Sequence, residues 1–446
     1  MKSLALAGTV LLILALGCSR PPAPEPVTLT FLDVEWDTPD KMPAVANDLQ
    51  EFTRETGIEV RRLPRPDGSL NQLALWRELL QKGGPTPDVL SIDVIWPGML
   101  SQYLMDLKPY FGTQLSSADR AVLASYTVGD RLVAVPHHAY VGVLLYRPDL
   151  LRRYGYREPP ATWDELEKMA TRIQAGERAK GEKDFYGYVW QGGVDEDLTC
   201  VGLEWQISEG AGRIIEDDQT ISVNNPAAIR TWQRAAHWVG TISPPGVLAY
   251  SKWDAHNFWG SGRAAFLRSW QSNFSMINRG WPFSGSPPGN DTQFGVTSMP
   301  GGKAGRVSAL GGNGLAVSRT SAHPSEALRL IEFLERRDAQ LMRANEQTAP
   351  SKDLELYELP TVLDPYPLSA NLNRHGSGIA ARPSVVSGQK YEQVSRAYIE
   401  EVHSVLAGEK QATAAAAELA KELEKITGFR PGPPPKPSKG MVQKGK

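Results

Sequence analysis

Carboxylates, one histidine pair and a strand that finishes in tryptophan are the residues of this chain that invite a chemical reading. The segment "VDEDLT", residues 194–199, places Asp195, Glu196 and Asp197 side by side. Paired carboxylates form the acid/base couple of glycoside hydrolysis when they face each other across a sugar at a set separation. Asp217-Asp218 reads instead as a solvated turn. His137-His138 is the one tempting metal pair. Neighbours on a strand point to opposite faces, so they make poor joint ligands, and packing is their expected role. No Gly-x-Ser-x-Gly elbow, Walker loop or His-Glu-x-x-His motif occurs. The segment "WGSGRAAFLRSW" (259–270) runs from a glycine turn through small and apolar residues to Trp270. Such a strand either buries Trp270 or presents its flat ring to a ligand with an apolar face.

The chain must position these residues within 446 positions, for which two domains are the default. Its hydrophobic content of 41% and charged content of 22% are those of a soluble globular protein. Net charge is −2 with no basic stripe, which argues against a nucleic-acid partner. Most of the 12 tryptophans are expected in the core. At the N-terminus, Lys2 and the apolar run Leu4 to Leu16 lead to Ala15-Leu16-Gly17-Cys18. This resembles a bacterial lipoprotein signal, with Cys18 as the lipidated residue; an ordinary cleaved signal peptide is the other reading. With Cys18 lipidated, Cys200 has no partner and no disulfide forms. Two cysteines also exclude a Cys-rich zinc site. "SRPPAPEPVT" reads as an extended tether, and the Pro/Lys-rich stretch after Phe429 as a disordered tail. No other apolar run approaches about 18 residues. The body is expected to be soluble, extracytoplasmic and membrane-anchored.

Along the body, strands and helices alternate. "VTLTFLDV", "IEVRRL" and "DVLSIDVIW" read as strands, with Asp93 and Trp96 at the end of the third. The helices between them place Val45, Leu49 and Phe52 on one face and stop at Gly57, or start at Ser69 and stop at Gly83-Gly84. This order implies an α/β lobe with parallel pairing, whose ligands sit outside the carboxyl ends of the strands. Val133 to Val135 and Gly142 to Tyr146 read as two strands with a linker between them. Thr162 and Glu165 read as a capping box, and Asn225-Pro226 as a helix start.

The strings "FTRETGIEV", "PDVLSIDVIWPGML", "GVLLYRPDLLRRYGYREPPATWDELEKMA" and "GSGRAAFLRSW" resemble the extracellular solute-binding proteins of sugar ABC importers. "GYVWQGGVDEDLTCVGLEW", "ISPPGV" and "ARPSVVSGQKYEQVS" are similar to the trehalose/maltose-binding branch. The resemblance implies the two-lobe α/β periplasmic-binding-protein fold, type II and maltose-binding-protein-like, hinged and closing on a sugar. The N-terminal residues read above give a signal peptide over 1–17 and a tether over 18–27. Lobe 1 is then 28–138 with 301–345, lobe 2 is 139–300 with 346–429, and the tail is 430–446. Trp270 matches a stacking tryptophan, Asp93 a sugar-binding aspartate and Arg382 a sugar-contacting arginine. Asp40, with Glu35 and Asp37 as rivals, is expected to reach the cleft from "EWDTPD".

The chain also departs from that branch. Asp195 stands where a tyrosine is usual, and Asp197 where a glycine is usual. Gly311-Gly312-Asn313 replaces Gly-Gly-Trp, Gln271-Ser272 replaces a Pro-Tyr pair, and Gln72 stands in place of an occasional arginine. The pocket residues Gln72, Asp195, Asp197, Ser272, Gly312 and Asn313 therefore point to a more polar or modified saccharide. The leading expectation is a monomeric transport receptor that needs no cofactor and works with ABC permease subunits. The alternatives are a sensory or scaffold protein, and a tethered glycoside hydrolase using Asp195, Glu196 or Asp197.

Overall fold

A computed structural model describes residues 27–33, 43–66, 69–82, 87–113, 115, 120–271, 294–345 and 378–435. Cys18, Glu35, Asp37, Asp40 and Ser272 lie outside them, as do the signal segment and most of the tether. Three parallel strands begin the fold: β1 (Thr28–Leu32), β2 (Glu59–Arg62) and β3 (Val89–Asp93), in the order β2-β1-β3. The helices Pro43–Thr56 and Ser69–Gln81 make the crossovers. The first ends where Gly57 turns to φ +72° and its N–H donates back to the Thr53 carbonyl. That left-handed conformation favours glycine, as expected for a helix stop.

A short hairpin, β4 (Thr127–Val128) and β5 (Arg131–Leu132), precedes β6 (Val135–Tyr146). The linker expected between 135 and 142 does not exist: β6 is one strand of 12 residues. Its partner β11 (Gly305–Val317) pairs Leu310 with Val141, Gly311 with Tyr140, Gly312 with Ala139 and Asn313 with His138. The ladder holds this stretch extended although its residues do not alternate between polar and apolar. Beyond it, β6 enters a second region. There it pairs with β8 (Ala264–Trp270) and β9 (Gly295–Ser298), while β7 (Tyr186–Val189) lies parallel to β8. The small strands β10 (Gly301–Gly302) and β12 (Gly378–Ala380) both pair with β11. The main sheet order is β2-β1-β3-β11-β6-β8-β7, so β6 and β11 are the two strands common to both halves.

Two separate cores fix two lobes. One gathers Leu29, Phe52, Trp76, Ile92, Leu315 and Leu330; the other gathers Leu144, Trp163, Trp190, Trp205, Trp232 and Phe266. In the second, Trp205 packs edge-on to Trp190 (4.9 Å, 85°) and to Trp238 (5.5 Å, 83°). Most of the described tryptophans are thus core, as their large apolar area demands. Thr162 caps the helix Trp163–Ala179 by accepting from the Glu165 N–H, while Glu165 reaches the Ala161 N–H rather than that of Thr162. Asn225 caps Pro226–Trp238 by accepting from the N–H groups of Ala227 and Ala228. The chain stays paired past Phe429: Ile221 donates to the Arg430 carbonyl and Gly432 donates to that of Ile221. Arg430 to Gly432 are therefore part of the second lobe, not of a disordered tail. Among the described residues, no helix is long and apolar enough to cross a membrane.

Candidate ligand-binding site

Asp93 is the last residue of β3, opposite Asn313 of β11. Its carboxylate accepts from the Ile95 N–H at 3.1 Å and lies 3.9 Å from the Arg382 guanidinium. Burial raises its pKa, and Arg382 opposes the rise. Arg382 follows β12 and its side chain is only 6% exposed. It donates to Glu196 Oε1 at 3.0 Å and to the Leu310 carbonyl at 3.2 Å. It therefore joins the first lobe's Asp93 to Glu196, the first residue of the second lobe's helix Glu196–Ser208.

That helix start carries the three adjacent carboxylates, and each has a different task. Asp195 is the cap, accepting from the Asp197 N–H at 2.9 Å. Glu196 accepts from Arg382, from the Tyr391 hydroxyl and from Ser395 Oγ (2.6 Å); Ser395 Oγ also meets Thr199 Oγ1 at 2.8 Å. Asp197 accepts from Trp270 Nε1 at 3.0 Å. Asp195 is pushed up to about 6, first by burial and then by the carboxylate of Asp197; the Asp197 N–H and the charge of Lys252 oppose the rise. Negative groups at a helix N-terminus are stabilised by its unpaired N–H groups, which is why three acids are tolerated there.

Trp270 ends β8 and is 7% exposed. Tyr140 of β6 meets it edge-on (5.5 Å, 82°), and the Arg268 guanidinium lies over its ring at 4.1 Å. The ring is therefore largely walled in, with Tyr140 the more exposed aromatic beside it. Arg268 itself is fully buried and doubly bonded to the equally buried Glu204 (2.9 and 2.7 Å), which also accepts from the Ala309 N–H. A pair of this kind is costly to desolvate and more costly to break. The sequence offered a signal for it: an arginine two residues before Trp270 on one strand shares its face.

Other candidate positions have more local roles. Gly312 has φ +143°, and a Cβ there would lie 2.1 Å from the His138 carbonyl oxygen, so glycine is required by close strand approach. Asn313 sits at the register shift that follows, half-buried between Asp93 and His138. Gln72 donates to the Pro66 carbonyl within its own lobe. His137 and His138 do not part to opposite faces: their rings lie 4.0 Å apart, because the ladder is irregular there. His137 Nδ1 meets Glu335 Oε1 at 2.5 Å. Among the described residues, no group of three His, Cys, Asp or Glu is arranged to hold a metal ion. Asp217 and Asp218 lie in an exposed turn, Asp218 accepting from the Thr220 N–H. Local pattern did not single out Tyr126, Tyr140, Lys252, Tyr391 or Ser395, because their link to this group is made by the tertiary fold.

The fold and this interlobe group define a class of protein. Residues 35–341 match the model of the bacterial extracellular solute-binding protein family. A Deinococcus radiodurans relative named "Probable ABC transporter-binding protein" is 38% identical over 380 residues, covering 84% of this chain and 89% of its own. The maltose-bound T. maritima MalE3 structure superposes with a TM-score of 0.75 at 30% identity, over 90% of this chain and all of that one. The GacH receptor of Streptomyces glaucescens, solved unliganded and with acarbose, gives a TM-score of 0.76 at 20% identity, over 91% of this chain and 99% of that one. This chain belongs to the bacterial extracellular solute-binding protein family.

Proposed function

We propose that this chain is the substrate-binding lipoprotein of an ABC sugar importer. It captures a disaccharide or a related polar saccharide between its lobes and hands it to membrane permeases. The observation that carries this reading is Arg382, poised between Asp93 of one lobe and Glu196 of the other. Carboxylates and guanidinium groups are the strong hydrogen-bonding partners of sugar hydroxyls, and Tyr140 and Trp270 supply apolar rings beside them. The likeness to a maltose-bound protein over nine-tenths of the chain supports the saccharide class. Asp195, Asp197, Asn313 and Ser272, where the trehalose/maltose-binding branch has other residues, favour a more polar or modified sugar over plain trehalose or maltose. Cys18 carries the lipid, the body works outside the cytoplasm as a monomer, and no cofactor takes part. Binding rather than hydrolysis is favoured by the family, whose description is that of solute-binding proteins, and by the adjacency of Asp195, Glu196 and Asp197 at one helix start instead of across a sugar.

A thermal-shift screen of the full-length chain against mono-, di- and modified saccharides tests this. A ligand that binds only the folded state, present at a hundredfold its Kd, stabilises by about 2.7 kcal/mol. The expected result is a clear shift with a polar or modified saccharide, abolished by Trp270→Ala. No shift with any saccharide would contradict the class; trehalose as the tightest ligand would contradict the preference.

A further inference from the structure

The carboxyls around Arg382 are not equally matched. Glu196 has Arg382, Tyr391 and Ser395. Asp93 has the Ile95 N–H and shares Arg382. Asp197 has the Trp270 indole, a neutral donor. Asp195 has a single backbone N–H, that of Asp197. The cation acting on it is Lys252 of the helix Lys252–Phe258, whose charge also bears on Asp93. Arg268 brings no surplus, since Glu204 neutralises it. Among the described residues, the carboxylates of this group thus exceed its cations, and the excess sits at Asp195 and Asp197.

A second observation is independent of that charge. Tyr126 is completely buried, and its hydroxyl has no hydrogen-bond partner among the described residues. Its ring lies against Gly314, next to Asn313, and its oxygen feels the charges of Asp93 and Arg382. Arg382 Nε, also buried, likewise lacks a partner. A buried hydroxyl or guanidinium N–H left unbonded is costly, so both call for a ligand atom or a water. These atoms suit the hydroxyls of a sugar at the Asp93–Arg382 end.

We infer that the saccharide taken by this cleft carries a protonated amine, seated at Asp195 and Asp197, with its hydroxyl-bearing end at Asp93, Arg382 and Tyr126. This rests on the saccharide-receptor reading and names its substrate class: an amino sugar or an amine-bearing oligosaccharide. An ammonium supplies the missing positive charge and forms charge-assisted bonds to both carboxylates. It also has a proton signature. Asp195 is held at about 6 by burial and by Asp197 and Glu196, against Lys252. A cation placed beside it favours the ionised form, so binding near pH 6 expels a proton, whereas a neutral sugar has no such effect.

The test is calorimetric titration of the full-length chain at about pH 6. The probes are two pairs matched except for the amine: glucosamine disaccharide with cellobiose, and trehalosamine with trehalose. The expected result is at least tenfold tighter binding of the amine form in one pair. Its heat should change between buffers of different ionisation enthalpy, showing proton release. Asp195→Asn and Asp197→Asn keep the cap and the indole bond in place, and each should shrink the amine-to-neutral ratio by severalfold. A neutral sugar bound as tightly as its amine, or a ratio untouched by both variants, would overturn the inference and leave the saccharide reading standing. No binding by either pair or by any saccharide of the thermal screen would overturn both.

Discussion

Asp195 and His256 pull the pH dependence of stability in opposite directions. Asp195 is raised from 3.8 to about 6, so between these values the fold holds a proton that the unfolded chain has released. Its stabilising contribution is present below that window and is lost as pH rises through it. His256 is buried beneath β8. Its Nδ1 lies 2.6 Å from the Lys252 carbonyl, which only accepts, so Nδ1 carries the hydrogen and Nε2 accepts from Ser269 Oγ. Burial lowers it from 6.5 to about 4, so its contribution is present above the window and is lost as pH falls through it. Urea unfolding across the interval checks both. Asp195→Asn should make stability rise more steeply with pH, and His256→Asn should make it rise less or fall. Identical slopes in all three proteins would contradict these assignments. Asp195, Asp197 and Trp270, which the structure brings together, stood out as candidates in the sequence because they sit in strings with a family pattern. Glu196 was legible only as an acid: two of its donors, Tyr391 and Ser395, lie 195 and 199 residues away.

At the scale of elements, β6 and β11 decide how the two lobes meet. The β1–helix–β2–helix–β3 order was readable from apolar periodicity and helix stops, because those signals are local. The single strand Val135–Tyr146 was not, because its extended form is imposed by β11 and not by its own alternation. Gly142 and Gly312 mark the tight points of this crossing. A Cβ on Gly142 would fall 1.8 Å from Glu204 Oε1, and one on Gly312 would meet the His138 carbonyl at a left-handed φ. Gly312→Ala should therefore cost about 1–3 kcal/mol, through overpacking and backbone strain together. A lower urea midpoint at unchanged slope is the expected readout; an unchanged midpoint would show that the strands part freely there.

For the whole molecule, the second lobe devotes most of its aromatic mass to a core, and the first supplies the parallel sheet whose strand β3 ends at Asp93, beside the Arg382 that also holds Glu196. The lobe pairing was legible because family strings occur in order along nearly the whole body. The ligand was not, because the candidate site draws its side chains from both lobes. A bound solute stabilises the closed arrangement in proportion to its preference for that state over the open one. A solute gripped by both lobes must lose affinity when either grip is weakened. The most direct test is titration of the full-length chain, and of Asp93→Asn and Asp197→Asn, with the saccharide that shifts its unfolding most. Capture between the lobes predicts at least a tenfold loss in each variant, one from each side of the cleft. Full affinity in either variant would place the sugar on one lobe alone and contradict capture between them.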